Sequence, residues 1–553
     1  MITLRQRGVD LRAIATGAAN LSLLLFIAYP LFLLLLVSFG AREGFTVVSY
    51  LKVFAQRQNY VALGNSLYVG TTTTLLATLI GVGLAWLIAR TDLPLKRVFP
   101  GLIFLTFVTP PYIGTIGWIQ LFGRAGYGNA LLTRVLGLSI ELYSLEGIIA
   151  VMALYLYPLV FWATAHALER TDPTLEDAAA SSGGTRWRVL TTITLPLVLP
   201  SILSAAALVF INTLASFGPA AALGLPARHY VLTTRIYAAL SHYDVQMAAA
   251  LSVILVLCSG GALLLQNSLL GRRRFITTTS GSRKPEPFRL GRWRLPIAIV
   301  LVVFFSFTAV LPLLTLLFTS LLKGWGLPLA LENFTLGNYL TIFQDRLIGR
   351  ALRNSLIFAT LAASAATLLG FLVAYISART KLRGRGLLDL LATFPRAIPR
   401  PVLAMAMILA FMNPPLALYN TPWIVIVAYI VAFTPLALRV LSGSLRALDP
   451  VLEEAAWASG ASWLRGLKDM VLPLLRPGIL TSFILVFLRG LPEIPLSLML
   501  HTRGTETVGV VLFFLRDTVG VEAVSALAVI VILITLAGHL VVGKLGGRPE
   551  VGR

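Results

Sequence analysis

Long apolar runs constrain this sequence more than any other feature. Many stretches of about 20 residues contain almost no charged side chain, which is the length at which an α-helix crosses a bilayer. Hydrophobic residues occupy 57% of the 553 positions, and charged residues only 12%. A soluble protein of this size needs more charge to cover its surface. The sequence therefore predicts an all-α polytopic membrane protein whose main solvent is lipid.

Twelve apolar runs are candidates for membrane-spanning helices. The first run follows a basic N-terminus, but it is longer than a signal-peptide core and lacks a clear small-residue cleavage site. We therefore interpret it as a retained first span. The approximate ranges of the runs are 17–40, 62–89, 98–123, 147–166, 197–222, 246–270, 295–321, 352–378, 387–412, 422–442, 477–500 and 523–543.

Lys and Arg are distributed unevenly between the loops. If the N-terminus is cytoplasmic, most of the 45 basic residues fall on cytoplasmic segments, as the positive-inside rule requires. An even number of spans returns the chain to its starting side, so both termini are predicted to be cytoplasmic. Basic loops beside anionic lipid account for the net charge of +22, and no nucleic acid partner is needed.

Internal similarity divides the chain into two homologous halves of six spans. Residues 65–91 align with 354–380, and residues 172–203 align without a gap with 449–480. Six spans return the chain to the same side, so the halves are parallel repeats that can face each other across a path. A basic segment rich in Gly, Ser, Thr and Pro separates them and has the composition of a linker. We predict a first half over 1–275, a cytoplasmic linker over 276–294 and a second half over 295–553.

The most similar stretches of the two halves are polar. DPTLEDAAASSGG (172–184) and DPVLEEAAWASGA (449–461) each lie between the fourth and fifth span of their half, on the predicted cytoplasmic side. Asp before Pro favours a helix N-cap. Gly183 and Gly460 favour a left-handed turn at the end of that helix.

A second short helix is expected after each of these glycines. We predict that it is ended by Pro196 in the first half and by Pro473 in the second. Each copy is thus predicted to be a helix, a turn and a helix that lie outside the bilayer.

This duplicated stretch resembles the EAA loop of ABC-importer permeases: E-A-A, three residues, G, nine residues, I-x-L-P. The matching loops span 172–196 and 449–473, and they depart from the pattern at Asp177 and Met470. In that family the loop docks on a cytoplasmic ATPase subunit, so the resemblance implies two such subunits. The coupling residues that it implies are Glu176, Asp177, Ala178, Ala179 and Gly183, and Glu453, Glu454, Ala455, Ala456 and Gly460.

The resemblance covers both halves and implies the type I ABC importer fold. It also implies a bacterial inner-membrane location and an extracytoplasmic substrate-binding protein as a partner. FPRAIPRPVLAMAM (394–407) and EIPLSLMLHTRGTETVGV (493–510) are most similar to ferric-iron importer permeases, with Arg400 where that family has glycine. Thiamine, phosphonate and polyamine permeases share much of these patterns and stay open as alternatives.

Four charged residues within apolar runs are candidates for the substrate path. Arg489 and Glu493 are four apart in the eleventh run. If the helix continues through Pro492, they share a face and can pair, either as a structural pair or as part of the path. Arg396 and Arg400 lie in a proline-broken segment, which is tolerated at membrane depth beside protein or a water-filled cavity. They line the path or its mouth, or they reach toward the interface.

Catalytic and metal-binding functions find no support in the sequence. GHLVVGKL (538–545) nearly matches a phosphate-binding loop, but it ends in Leu and belongs to a predicted span. ATP hydrolysis is therefore assigned to a separate chain, and no cofactor is expected. The five histidines and one cysteine have no metal-ligand spacing. An ion-coupled secondary transporter is a more distant alternative, which leaves the duplicated loops unexplained.

Overall fold

The chain forms a helical assembly in two repeats. The computed structural model describes residues 11–40, 47–271, 287–327, 330–380, 382, 384–514 and 520–545, and these contain isolated β-bridges but no strand. Most of the predicted linker, like the terminal residues, lies outside them. The helices of the first half are α1 Ile14–Ser38, α2 Val48–Ala55, α3 Arg57–Arg90, α4 Phe99–Val108, α5 Pro111–Phe122, α6 Tyr127–Leu136, α7 Leu145–Glu169, α8 Pro173–Ser181, α9 Trp187–Ala215, α10 Gly218–Gly224, α11 Leu232–Ser241 and α12 Val245–Gly271.

The second half repeats this order with one fewer short helix. Its last helix contains residues 538–545, so the near match to a phosphate-binding loop is helical. The helices are α13 Gly291–Ser320, α14 Gly337–Gln344, α15 Arg346–Arg379, α16 Arg385–Ala397, α17 Arg400–Phe411, α18 Pro422–Arg446, α19 Val451–Ala458, α20 Trp463–Gly490, α21 Pro495–Leu500, α22 Val508–Phe514 and α23 Val521–Leu545.

Ten helices in the described part of the chain are long and apolar enough to cross a membrane. Two further segments are bent pairs, and the number becomes twelve if each pair is one span. The bends measure 102° after Phe99–Val108 and 117° after Arg385–Ala397. Prolines at both breaks remove backbone donors and so favour the bend. The predicted all-α membrane fold is confirmed, with the third segment of each half broken.

Four spanning helices contain a π-helical turn with a proline two residues after it. Proline lacks an N–H and its ring crowds the preceding turn, and the wider turn accommodates both effects without ending the helix. The prediction that Pro196 and Pro473 end short helices was therefore wrong, because α9 and α20 run on through them. The π turns are Leu24–Ala28, Leu190–Thr194, Ser306–Val310 and Leu467–Val471.

The first span of each half packs against the other half. On one side, the ring centroids of Phe26 in α1 and Phe411 in α17 lie 5.8 Å apart. On the other side, the ring centroids of Trp118 in α5 and Phe307 in α13 lie 5.3 Å apart. The two crossings are equivalent, so the repeats face each other, and several hydrophobic clusters contain residues of both halves.

Within each half, the second and fourth spans approach closely at equivalent glycines. A Cβ on Gly81 of α3 would lie 2.7 Å from the Cβ of Val160 in α7. A Cβ on Gly370 of α15 would lie 2.9 Å from the Cβ of Ala437 in α18. Only glycine allows these backbones to approach so closely. These tight pairs hold the second span of each half against the fourth, which leads into the polar loop.

Candidate coupling loops and central cavities

The two polar loops have matching caps and turns. An Asp172 carboxylate oxygen accepts a hydrogen bond of 2.9 Å from the backbone N–H of Thr174, and Asp449 accepts one of 3.0 Å from Val451. At the other end of each helix, Gly183 has φ +84° and Gly460 has φ +83°. The predicted N-caps and left-handed turns are both present, and they fix the direction in which each loop leaves its helix.

An ion pair joins the first loop to the end of the second span. The Arg90 guanidinium donates to the Glu176 carboxylate at 3.1 Å, and its other nitrogen donates to the Leu168 carbonyl. The Thr194 hydroxyl donates to the second oxygen of Glu176 at 2.8 Å. Glu176 therefore connects α8 to both α3 and α9.

The second loop repeats this arrangement with a more buried acid. Arg379 lies 3.0 Å from the Glu453 carboxylate, and the Tyr375 hydroxyl donates to the other oxygen at 2.9 Å. Arg379 also donates to the carbonyls of Leu445, in the last turn of α18, and of Leu448, just after that helix. The Glu453 side chain is only 8% exposed, whereas that of Glu176 is 20% exposed.

The sequence analysis missed Arg90 and Arg379 as members of these sites. Both occupy the same position of the aligned segments 65–91 and 354–380, each followed by threonine. That equivalence was visible in the sequence. What could not be seen was that the ends of these spans approach the loops.

Each loop presents exposed apolar side chains beside its polar residues. Trp187 is 73% exposed in the first half, and Leu464 is 58% exposed in the second. Leu175 and Leu452 are exposed on the first helix of each loop. Among the residues implied by the EAA resemblance, Asp177, Ala178, Gly183, Glu454, Ala455 and Gly460 are exposed, and Ala179 and Ala456 are half-buried.

Glu493 lies where α20 has already ended. The helix stops at Gly490, and Leu491 and Pro492 form a turn after it. The condition for Arg489 and Glu493 to pair on one helix face is therefore not met. Instead, Glu493 lies 3.7 Å from Arg400 and accepts hydrogen bonds from the backbone N–H groups of Leu496 and Ser497 at 3.0 and 3.1 Å.

The four candidate path residues surround two adjoining cavities between the halves. The central cavity, of about 280 Å³, is lined by Arg400, Arg489 and Glu493 together with first-half residues such as Asn212. The four-arginine cavity, of about 340 Å³, is lined by Arg396, Arg400, Arg439 and Arg489. Asn212, Arg400 and Arg489 belong to both cavities. The structure thus brings together all four predicted residues.

A third cavity adjoins the central one at Tyr112. This Arg124 cavity has a volume of about 550 Å³ and is lined by Gln120, Arg124 and Tyr143 of the first half and Phe513 of the second. The Arg124 guanidinium lies 5.6 Å from the Tyr143 ring. The three cavities form a series along the interface of the two halves.

Two equivalent polar loops, and cavities between two homologous helical halves, are typical of a transport permease. The chain belongs to the family of binding-protein-dependent transport system inner membrane components, which matches residues 77–274 and again 366–549. It is therefore a polytopic inner-membrane permease of the ABC importer class, and the ion-coupled alternative is not retained.

Two relatives show which permeases it resembles. The ferric transport system permease protein FbpB of Actinobacillus pleuropneumoniae is 28% identical, with 87% of this chain and 70% of that protein covered. The molybdenum transport system permease protein ModB of Escherichia coli is 36% identical over 28% of this chain and 66% of its own length.

Proposed function

We propose that this chain supplies both transmembrane halves of an ATP-driven importer and that each EAA loop docks one separate cytoplasmic ATPase subunit. The observation that carries the proposal is the duplicated arginine–glutamate anchor under two equally capped loops. The exposed Trp187 and Leu464 offer apolar contacts to a partner. A soluble binding protein delivers substrate at the opposite face.

The proposed substrate is ferric iron. This assignment is supported by similarity to a ferric permease along most of the chain and by the segments 394–407 and 493–510. The cavities that carry Arg396, Arg400, Arg489 and Glu493 are the proposed path. Thiamine, phosphonate and polyamine import are the alternatives.

The proposed import function is tested by reconstitution. The permease, the ATPase that co-purifies with it and the binding protein are placed in proteoliposomes, and uptake of ⁵⁵Fe(III) is measured. We expect uptake to require ATP and the binding protein, and to stop when the ATPase is replaced by a hydrolysis-deficient variant. ATP-dependent uptake of another substrate, without iron, would contradict the ferric assignment alone.

The arrangement of six spans in each half predicts the side of the membrane on which each loop lies. Reporter fusions near residues 280 and 550 are expected to report a cytoplasmic location, and fusions near 230 and 505 an external one, because basic residues concentrate on one side. A reporter active outside at residue 280 would contradict this orientation and the cytoplasmic placement of both loops.

A further inference from the structure

We propose that the species crossing this permease carries a net negative charge and is bound by Arg489. It is either a free oxyanion or an iron complex with anionic oxygen ligands, and not a bare trivalent cation. This inference rests on the proposed import function and concerns the chemical form of the substrate.

Arginine dominates the walls of the proposed path. Among the described residues that line the three cavities, Glu493 is the one acid. The arginines there are Arg124, Arg396, Arg400, Arg439 and Arg489, and His539 also lines the central cavity. In a weakly polar surrounding, such an excess of one sign attracts ions of the opposite sign and repels cations.

The Glu493 carboxylate is already committed to the protein. It caps the first turn of α21 through Leu496 and Ser497 and lies beside Arg400. Its side chain is 3% exposed, so little of it reaches the cavity. Binding a cation there would require breaking the cap and leaving the Arg400 charge unpaired, which is costly. Glu493 therefore offsets part of the Arg400 charge and does not offer a cation site.

Hard cations need several oxygen ligands, and the path does not provide them. Iron(III) is best held by clusters of carboxylate or similar oxygen donors. Within the described part of the chain, no group of three or more His, Cys, Asp and Glu side chains is placed to hold a metal. The path is therefore unsuited to replacing the ligands of a naked ferric ion.

Arg489 is suited to binding an anion. Its guanidinium lies 5.7 Å from the Phe107 ring, and no described carboxylate forms an ion pair with it. The side chain is exposed although it lies deep between the halves, because its exposed surface is the cavity wall. The positive charge of Arg400 also repels that of Arg489. A planar guanidinium binds oxyanions through two parallel hydrogen bonds, and an anion between the two arginines would relieve their repulsion.

The test asks whether substrate uptake falls or rises when one positive charge is removed from the proposed path. Proteoliposomes with the complete transporter receive ⁵⁵Fe(III) with [³²P]orthophosphate, ⁵⁵Fe(III) with [¹⁴C]citrate, [³²P]orthophosphate alone, or [⁹⁹Mo]molybdate alone. The variants are Arg489→Gln, Arg489→Lys and, as a matched control, Arg292→Gln, whose exposed side chain lies outside the three cavities. All are compared at equal permease content and equal ATPase recovery, which separates transport from folding.

If the substrate is anionic, we expect Arg489→Gln to lower uptake about ten-fold or more. Arg489→Lys should retain more uptake than Arg489→Gln. Arg292→Gln should match the parent protein. If iron is carried, labelled anion enters with it in a fixed ratio. Entry of phosphate or molybdate without iron would support this inference while refuting the ferric assignment. Iron entry without either anion, or uptake that is unchanged or raised in Arg489→Gln, would overturn the inference while leaving iron import intact.

Discussion

Replacing Gly183 and Gly460 together by valine is expected to reduce recovery of the ATPase with the permease about ten-fold or more, with transport-linked ATP hydrolysis reduced in parallel. Both glycines have φ near +84°, where a β-branched residue is strained. A Cβ at either position would meet no atom within 4 Å. The effect therefore comes from the backbone, which would re-aim the helix after each turn, and not from a clash.

Two control variants separate coupling from general damage. Asparagine adopts left-handed angles more readily than valine, so Gly183→Asn with Gly460→Asn is expected to keep most of the ATPase recovery. Gly137 and Gly326 also have positive φ and open space around a Cβ, but they lie away from the coupling loops. Valine at these two positions should leave ATPase recovery unchanged. Normal recovery and transport in the Gly183→Val, Gly460→Val variant would refute the coupling role.

The sequence predicted the membrane fold well because span length depends on adjacent residues and the repeat is visible when the two halves are aligned. The caps at Asp172 and Asp449 and the turns at Gly183 and Gly460 were predictable for the same reason, since each depends on a few adjacent residues. The four candidates for the substrate path lie on two segments, and the structure brings them to adjoining cavities.

The failures concern what proline does and which residues meet in space. Proline usually ends a helix, yet Pro196 and Pro473 follow π turns that let the helix continue. A helix through Pro492 was the condition for pairing Arg489 with Glu493, and α20 ends before that proline. The presence of a proline alone does not distinguish these outcomes. The partners of Glu176 and Glu453 are distant in the chain, so spacing alone could not identify them.

The second large effect is expected from Glu453→Gln. The substitution leaves the Arg379 side chain, which is only 12% exposed, without its carboxylate, although its bonds to the Leu445 and Leu448 carbonyls persist. Breaking a buried ion pair on one side costs roughly 3–5 kcal/mol, and the Tyr375 hydroxyl keeps only a weaker neutral acceptor. We expect a lower thermal midpoint of the purified permease and weaker ATPase recovery. Because Glu176 is more exposed, Glu176→Gln should have the smaller effect on both.

The adjacent residue provides the matched control for this prediction. Glu454 is exposed on the same helix turn, so Glu454→Gln removes an equal charge from the loop without removing the anchor. Its thermal midpoint should stay close to that of the parent. The double variant Arg379→Gln, Glu453→Gln should recover part of the stability lost in Glu453→Gln, because neither charge is then left alone in the interior. Equal midpoints for Glu453→Gln and Glu454→Gln would show that the arginine–glutamate anchor does not hold the loop. The position of the second loop would then depend on its cap and turn.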